Sequence, residues 1–340
     1  MTDHRLTAEW EEQDAVIMAW PHKESDWYPI LQYVEPVFAK IAATISRFQK
    51  VLLIVPDACS HIGVLKSSDA VMENIITVTM ETNDTWARDF GPITIFKSGK
   101  PLMLNFGFNG WGLKFPADRD NQITRKLYDK KLFKCKLETI GLILEGGSID
   151  SDGKGIILTT SECLLNPNRN PHLSKDELEA ELKSIFGAKR ILWLNNGYLA
   201  GDDTDSHIDT LARFAHDNTI LYVSCNDKSD EHYSQLKSME EELKTFETEA
   251  GKPFRLIPLP LPTPKFDGNQ RLPATYANFL VINNAVLVPT YSDPNDDIAL
   301  AQIRTAFPKR EVIGIECTPL LMQHGSLHCV TMQLLKGTLT

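Results

Sequence analysis

The chain has 340 residues, carries a net charge of -10, and is 42% hydrophobic and 24% charged, an ordinary balance for a globular protein with a sizeable core. That acidity argues against nucleic acid or an anionic membrane as a partner and suits a small cationic ligand. No basic start leads into an apolar stretch, no run of about 18 apolar residues occurs, and the six cysteines (Cys59, Cys135, Cys163, Cys225, Cys317, Cys329) are scattered without a CxxC pair, which predicts reduced thiols in a cytoplasmic protein rather than a secreted scaffold, a zinc ribbon or a membrane span.

The elements fall into a repeat of strand, strand, helix, strand. Residues 15–20 and 51–55 read as strands around a helix that ends near Phe48, with Pro36 expected near the start of that helix. Next, 93–96 and 101–106 flank the turn Ser98-Gly99-Lys100, followed by a helix near 121–132 and a strand at 137–140. Ser148-Ile149 and 156–160 then flank Asp150-Ser151-Asp152-Gly153. Ser174 and Glu177 form an S-x-x-E capping box. Leu178, Leu182, Ile185 and Phe186 share one helical face, Gly187 stops it, and 190–194 is a strand.

The order recurs with 211–215 and 219–224 around His216-Asp217-Asn218. A helix from about 230 to 250 and a strand at 254–257 complete that unit. Strands at 279–282 and 285–290 follow, joined at Asn283-Asn284, then a helix at 297–307 and a strand at 312–315. Finally, 330–335 pairs with 15–20, so the last unit joins both termini. Five units of about 68 residues each are too small to bury separate cores and must pack together. The expectation is a single α/β domain over 1–340, a five-bladed ββαβ propeller with pseudo-fivefold symmetry.

One polar motif precedes the first strand of each unit. These are Trp86-Ala87-Arg88-Asp89, Leu144-Glu145-Gly146-Gly147, Asp202 through Asp209, Tyr276-Ala277-Asn278, and His324-Gly325-Ser326-Leu327-His328-Cys329. Rotationally related units would bring them to one end of the axis and gather Asp89, Glu145, His207, Asp209 and Cys329 in one pocket. Taken singly, each has a plainer reading: a buried thiol, a satisfied histidine, a turn. The acidic stretch 202–209 lacks the alternation and the glycine of an EF-hand loop.

A Cys–His pair is the core of thiol nucleophilic catalysis. Two added carboxylates would raise the thiol's pKa against a neutral substrate. They make sense against a guanidinium, whose planar fork matches carboxylates bidentately. Asp89 and Asp209 would hold the cation over Cys329, and the cation would favour the thiolate.

At these residues the chain resembles the agmatine deiminase family, which includes bacterial peptidylarginine deiminases. The resemblance runs through Glu9-Trp10-Glu11, Ala19-Trp20-Pro21, Trp86-Ala87-Arg88-Asp89-Phe90-Gly91-Pro92 and Asn105-Phe106-Gly107-Phe108-Asn109-Gly110-Trp111-Gly112. It continues through Glu145-Gly146-Gly147-Ser148-Ile149, Asn168-Arg169-Asn170-Pro171, Thr204-Asp205-Ser206-His207-Ile208-Asp209, Tyr276-Ala277-Asn278-Phe279 and Leu327-His328-Cys329. It implies the five-bladed pentein fold, Cys329 as nucleophile, His207 as general acid–base, Asp89 and Asp209 on the guanidinium, and Glu145 in the same network. One stretch and two single positions depart from the family pattern. His324-Gly325-Ser326-Leu327 replaces Gly-Gly-Gly-Asn-Ile, Ser206 stands where Gly is usual, and Ala87 where Met is common.

The resulting expectation is hydrolysis of agmatine to N-carbamoylputrescine and ammonia, with no metal or organic cofactor. Asp203 is a candidate for the substrate's ammonium, or else a turn cap. Trp86 and Trp111 are candidates for its butyl chain, and Asn278 for a further substrate contact. A deiminase of peptidyl or free arginine is the rival. It needs a cation for a carboxylate, for which Arg88, Arg169 and Arg271 are available. An amidinotransferase and a non-catalytic polyamine binder are further alternatives, and homo-oligomerisation stays open.

Overall fold

The computed structural model describes residues 4–57 and 61–340, so Cys59 lies outside the described residues. Among the described residues there are five sheets of three or four strands and one small hairpin. The five sheets share one wiring. Two antiparallel strands are followed by a helix and a strand that returns parallel to the second, the chain reversal that a crossover helix allows. The result is an α/β architecture.

Ile149–Ser151 pairs antiparallel with Ile156–Thr160, and Arg190–Leu194 returns parallel after the helix Lys175–Phe186. That helix starts on a reciprocal cap between Ser174 and Glu177 and ends where Gly187 turns left-handed at φ 63°, as its sequence dictates. The same order holds for Ile93–Lys97, Lys100–Gly107 and Lys136–Ile143. It holds again for Ala212–Ala215, Thr219–Ser224 and Arg255–Pro260, and for Leu280–Ile282, Ala285–Thr290 and Glu311–Glu316. Asp217 and Asn218 both take positive φ in their hairpin, the conformation a tight two-residue turn asks for. The fifth sheet joins the two ends of the chain. Met332–Leu335 runs antiparallel to Gln13–Ala19, and Lys50–Val55 returns parallel after the helix Leu31–Ser46.

The central strands are buried along their length. Val51, Leu52, Leu53 and Val55 have no exposed surface, as expected of parallel strands covered on both faces. On the helix Leu31–Ser46, Val34, Val37, Phe38, Ile41 and Ile45 form the buried stripe. Each such side chain stabilises the fold by roughly 1.5–3 kcal/mol through burial.

Several elements differ from expectation. Pro36 lies inside Leu31–Ser46 rather than near its start. It sits on the exposed face, above the exposed Gln32, so the carbonyl it leaves unpaired meets water. The helix expected over 230–250 is shorter, Tyr233–Leu243. Beyond it Glu247 bridges to Pro253, with Gly251 at positive φ in the turn between them. His4–Leu6 and Ile75–Thr79 add edge strands to two of the sheets, and Phe266–Asp267 pairs with Gln270–Arg271 in a separate hairpin. The five described cysteines are free, and all but Cys225 are buried. Among the described residues no helix is long and apolar enough to cross a membrane.

Candidate active site

The five polar motifs stand where expected, ahead of the first strand of each sheet. Asp89 lies in the turn Ala87–Phe90 before Ile93–Lys97. Glu145 precedes the turn Gly146–Ser148, and His207 precedes Ile208–Thr210, which carries Asp209. Asn278 stands before Leu280–Ile282, and Cys329 before Met332–Leu335.

Three of these side chains meet at Gly147. A Cβ there would lie 2.6 Å from His207 Nδ1, 2.9 Å from Asp89 Oδ1 and 3.1 Å from Asp209 Oδ2. Only a residue without a side chain fits, which explains the second glycine of Glu145-Gly146-Gly147. The Gly147 amide donates to Asp89 Oδ1 at 3.0 Å, and Trp111 Nε1 donates to Asp89 Oδ2 at 3.0 Å. His207 Nδ1 is 3.7 Å from Asp89 Oδ1. Asp209 Oδ2 faces His328 Nδ1 at 2.7 Å. One buried polar atom at this point, Asp209 Oδ1, has no hydrogen-bond partner. Unpaired groups of this kind carry a desolvation penalty that a bound ligand removes.

Cys329 completes the group. Asn278 Nδ2 donates to its Sγ at 3.2 Å, while Asn278 Oδ1 accepts from the His328 amide at 2.8 Å. Asn278 was expected to touch substrate. It is fully buried and does not line the cavity over Cys329, because both ends of its amide are committed to the turn that carries Cys329. Burial, then Asp209 and Asp89, push the Cys329 thiol far above its ordinary value. Burial pushes Asp89 up to about 6, against the pull of His207. His207 is raised well above its ordinary value: burial opposes its charge, but Asp89, Cys163 and Glu145 outweigh that. Burial likewise opposes the charge on Asp209, yet the hydrogen bond from His328 holds that carboxyl below its usual range.

The cavity above Cys329 is about 160 Å³ and is lined by Asp26, Asp84, Trp86, Asp89, Trp111, Phe115, Asp202, Asp203, Thr204, Thr210, Gln323, His324 and Gly325. Five of these are aspartates, and no Arg or Lys occurs among the described residues of the lining. Trp86, Trp111 and Asp203 are thus all among its lining residues. Asp203 lines the cavity, and burial with the neighbouring Asp202 pushes it up to about 6. The turn is capped by Asp202 instead. It accepts from the amides of Thr204 at 3.2 Å and Ser206 at 2.7 Å. That grip accommodates Asp205 and Ser206, both at positive φ, a conformation that disfavours side chains. Gly325 is held by Trp86, whose ring would lie 2.2 Å from a Cβ there.

The three arginines considered for a substrate carboxylate are engaged elsewhere. Arg88 donates to Gln333 at 2.7 Å and lies 3.6 Å from Glu9. Arg169 Nε reaches both Glu145 oxygens at 3.0 Å, and its Nη1 reaches Asp205 at 2.7 Å. Arg271 pairs with Asp230 and Glu231.

Sequence reasoning did not single out Cys163. Its Sγ, a Glu145 oxygen and a His207 ring nitrogen lie within 4.8 Å of one another. The trio resembles a metal-ligand set, but both Glu145 oxygens already accept from Arg169, so it reads as a polar network around His207. Glu9 and His328 were also given no role, although both stand in quoted motifs. Adjacency to Cys329 was the one available signal for His328.

The site is that of a buried thiol beside a histidine and paired carboxylates, open to a cavity suited to cations. A family model described as Porphyromonas-type peptidyl-arginine deiminase matches residues 5–334, and the chain belongs to this family. It is 48% identical to a structure from Porphyromonas gingivalis provisionally named an arginine deiminase, with a TM-score of 0.95 over 99% of this chain and 100% of that one. It is 45% identical to a Cys-to-Ser variant of C. jejuni agmatine deiminase with substrate bound, with a TM-score of 0.92 over 98% and 97%. It is 32% identical to the agmatine deiminase of Pseudomonas aeruginosa (strain LESB58), over 97% of this chain and 95% of that one.

Proposed function

We propose that this chain is an agmatine deiminase, a hydrolase of the guanidinium C–N bond that yields N-carbamoylputrescine and ammonia. The observation that carries the choice of substrate is the cavity, with five aspartates and neither Arg nor Lys among its described lining residues. Agmatine is a guanidinium at one end and an ammonium at the other, with no anion. A carboxylate-bearing arginine would enter that field unpaired, and burying an unpaired charge is costly.

The agmatine guanidinium lies between Asp89 and the free Oδ1 of Asp209. Its charge offsets both carboxylates, so the Cys329 proton is released as the substrate docks. The thiolate then attacks the guanidinium carbon and forms the C–S bond. His207, held protonated by Asp89 and Glu145, gives its proton to the leaving nitrogen. The C–N bond breaks and ammonia departs, leaving a thiouronium on Cys329. Neutral His207 next takes a proton from water, whose oxygen attacks the same carbon. The C–S bond breaks, the sulfur leaves as thiolate, the remaining hydroxyl proton passes to the released ammonia or to solvent, and a neutral ureido group remains. Trp86 and Trp111 flank the butyl chain, and Asp203 receives the ammonium.

We read the five sheets as blades of one catalytic domain of the pentein type, arranged about a pseudo-fivefold axis with the site at its end. The common wiring and the equivalent placement of the five motifs support this. The free thiols suit a reducing, cytoplasmic setting. The test is incubation with agmatine, free arginine, an N-acylated arginine amide and an arginine peptide, each beside Cys329→Ala. Cys329-dependent ureido product from agmatine alone is expected. Turnover of an arginine substrate in its place would move the assignment to an arginine deiminase.

A further inference from the structure

The proposed clamp needs Asp209 ionised with one oxygen free, although it is 1% exposed. A buried chain of groups behind it meets that need. Asp209 Oδ2 and His328 Nδ1 are 2.7 Å apart, and His328 Nε2 and Glu9 Oε2 are also 2.7 Å apart. A histidine ring that donates from both nitrogens is an imidazolium. Glu9 is itself saturated, with Oε1 accepting from the Val281 amide at 2.6 Å and Oε2 from Arg213 Nη2 at 2.8 Å.

The charges around the ring agree with that state. The ionisable groups facing it are Asp209, Glu9 and Asp150 on one side of the balance and Arg88 and Arg213 on the other. Arg88 Nη2 is 3.6 Å from Glu9, and Arg213 Nε is 3.5 Å from Asp150. All of them are at most 8% exposed. With a protonated His328, three carboxylates face three cations, the balance a buried ionic group requires. Glu9 comes from the segment between His4–Leu6 and Gln13–Ala19, some 200 positions before Asp209 and 319 before His328.

We propose that Glu9 and His328 form a buried relay that fixes Asp209 as an ionised clamp with Oδ1 turned to the substrate, and that Glu9 is a positioning residue for the reaction. This rests on the reading of Asp209 as one arm of the guanidinium clamp. Glu9→Gln removes the carboxylate 2.7 Å from His328 Nε2 and leaves Asp209 and Asp150 against two arginines, so an imidazolium would be in excess, the ring loses a proton and Asp209 loses its charge-assisted partner. A charge-assisted hydrogen bond of this kind corresponds to about a tenfold to hundredfold effect.

The test combines ¹⁵N NMR of the histidine rings with kinetics on agmatine. In the parent at neutral pH, both His328 nitrogens are expected to carry protons. In Glu9→Gln one of them is expected to lose its proton, and the KM for agmatine to rise by about ten- to a hundredfold. Glu9→Asp, which keeps the charge, is expected to restore the doubly protonated ring and most of the affinity. A singly protonated His328 in the parent overturns the relay, even if every Glu9 variant fails to fold. Parent-like ring signals and KM in Glu9→Gln overturn it as well. A doubly protonated ring in a parent that turns over no guanidine would leave the relay standing and sink the deiminase reading instead.

Discussion

Replacing Asp203 by Asn tests the substrate tail most sharply, because it changes one charge and almost no volume. In the proposed complex the ammonium sits near this carboxylate. Two opposite unit charges about 4 Å apart attract by roughly 4 kcal/mol at an effective dielectric near 20. Part of that survives the substitution, since Asp26, Asp84 and Asp202 line the same cavity and the amide still accepts a hydrogen bond. A net loss of about 1.5–3 kcal/mol remains, the range for a hydrogen bond to a charged group. The expected result is a KM for agmatine raised by about ten- to a hundredfold with kcat nearly unchanged. The control is butylguanidine, which has the same chain without the ammonium and should be indifferent to the substitution. Steady-state ammonia release on both substrates, in parent and variant, gives a four-way comparison that isolates the tail contact. Equal effects on the two substrates would refute the reasoning and return Asp203 to a local structural role.

The pH profile follows from two raised carboxylates. Asp89 and Asp203 are each pushed up to about 6, so below that value the free enzyme loses charge from both ends of the cavity. Agmatine kcat/KM should therefore fall as pH drops through about 6, and fall less steeply in Asp203→Asn; a flat parent profile from neutral down to pH of about 5 would contradict the assignment. Arg169→Met should lower unfolding free energy in urea by about 3 kcal/mol or more, because it strands the buried Glu145; unchanged stability would mean that Glu145 is held by other groups. Asn278→Ala should slow alkylation of the Cys329 sulfur by iodoacetamide about tenfold, through loss of the amide that donates to it. An unaltered rate would show that Asn278 only orders the turn.

The repeat was legible because each unit carries local punctuation. Ser174 with Glu177, Gly187, and the turns at Ser98-Gly99 and Asp217-Asn218 need no distant partner, and each appears in the structure. The gathering of Asp89, Glu145, His207, Asp209 and Cys329 was legible for a different reason: one motif precedes the first strand of every unit. What escaped depends on contacts between units. His4–Leu6 is a strand only because Ile93–Lys97 offers it an edge. Cys163 matters only because Glu145 and His207, from two other stretches of chain, stand beside it. Asn278 was misjudged because its two amide ends bond to a turn 50 residues away in sequence. Pro36 was misplaced because a helix tolerates proline where the freed carbonyl faces solvent, and exposure is not written in the local sequence.

The central claim is that Cys329 attacks the guanidinium carbon. Rapid acid quenching of enzyme with agmatine, followed by mass spectrometry of the peptide that contains Cys329, tests it directly. The account predicts an adduct on that cysteine with the mass of agmatine less ammonia, formed and lost within a turnover and absent from Cys329→Ser. Turnover of agmatine with no adduct on Cys329, or undiminished turnover in Cys329→Ser, would contradict it.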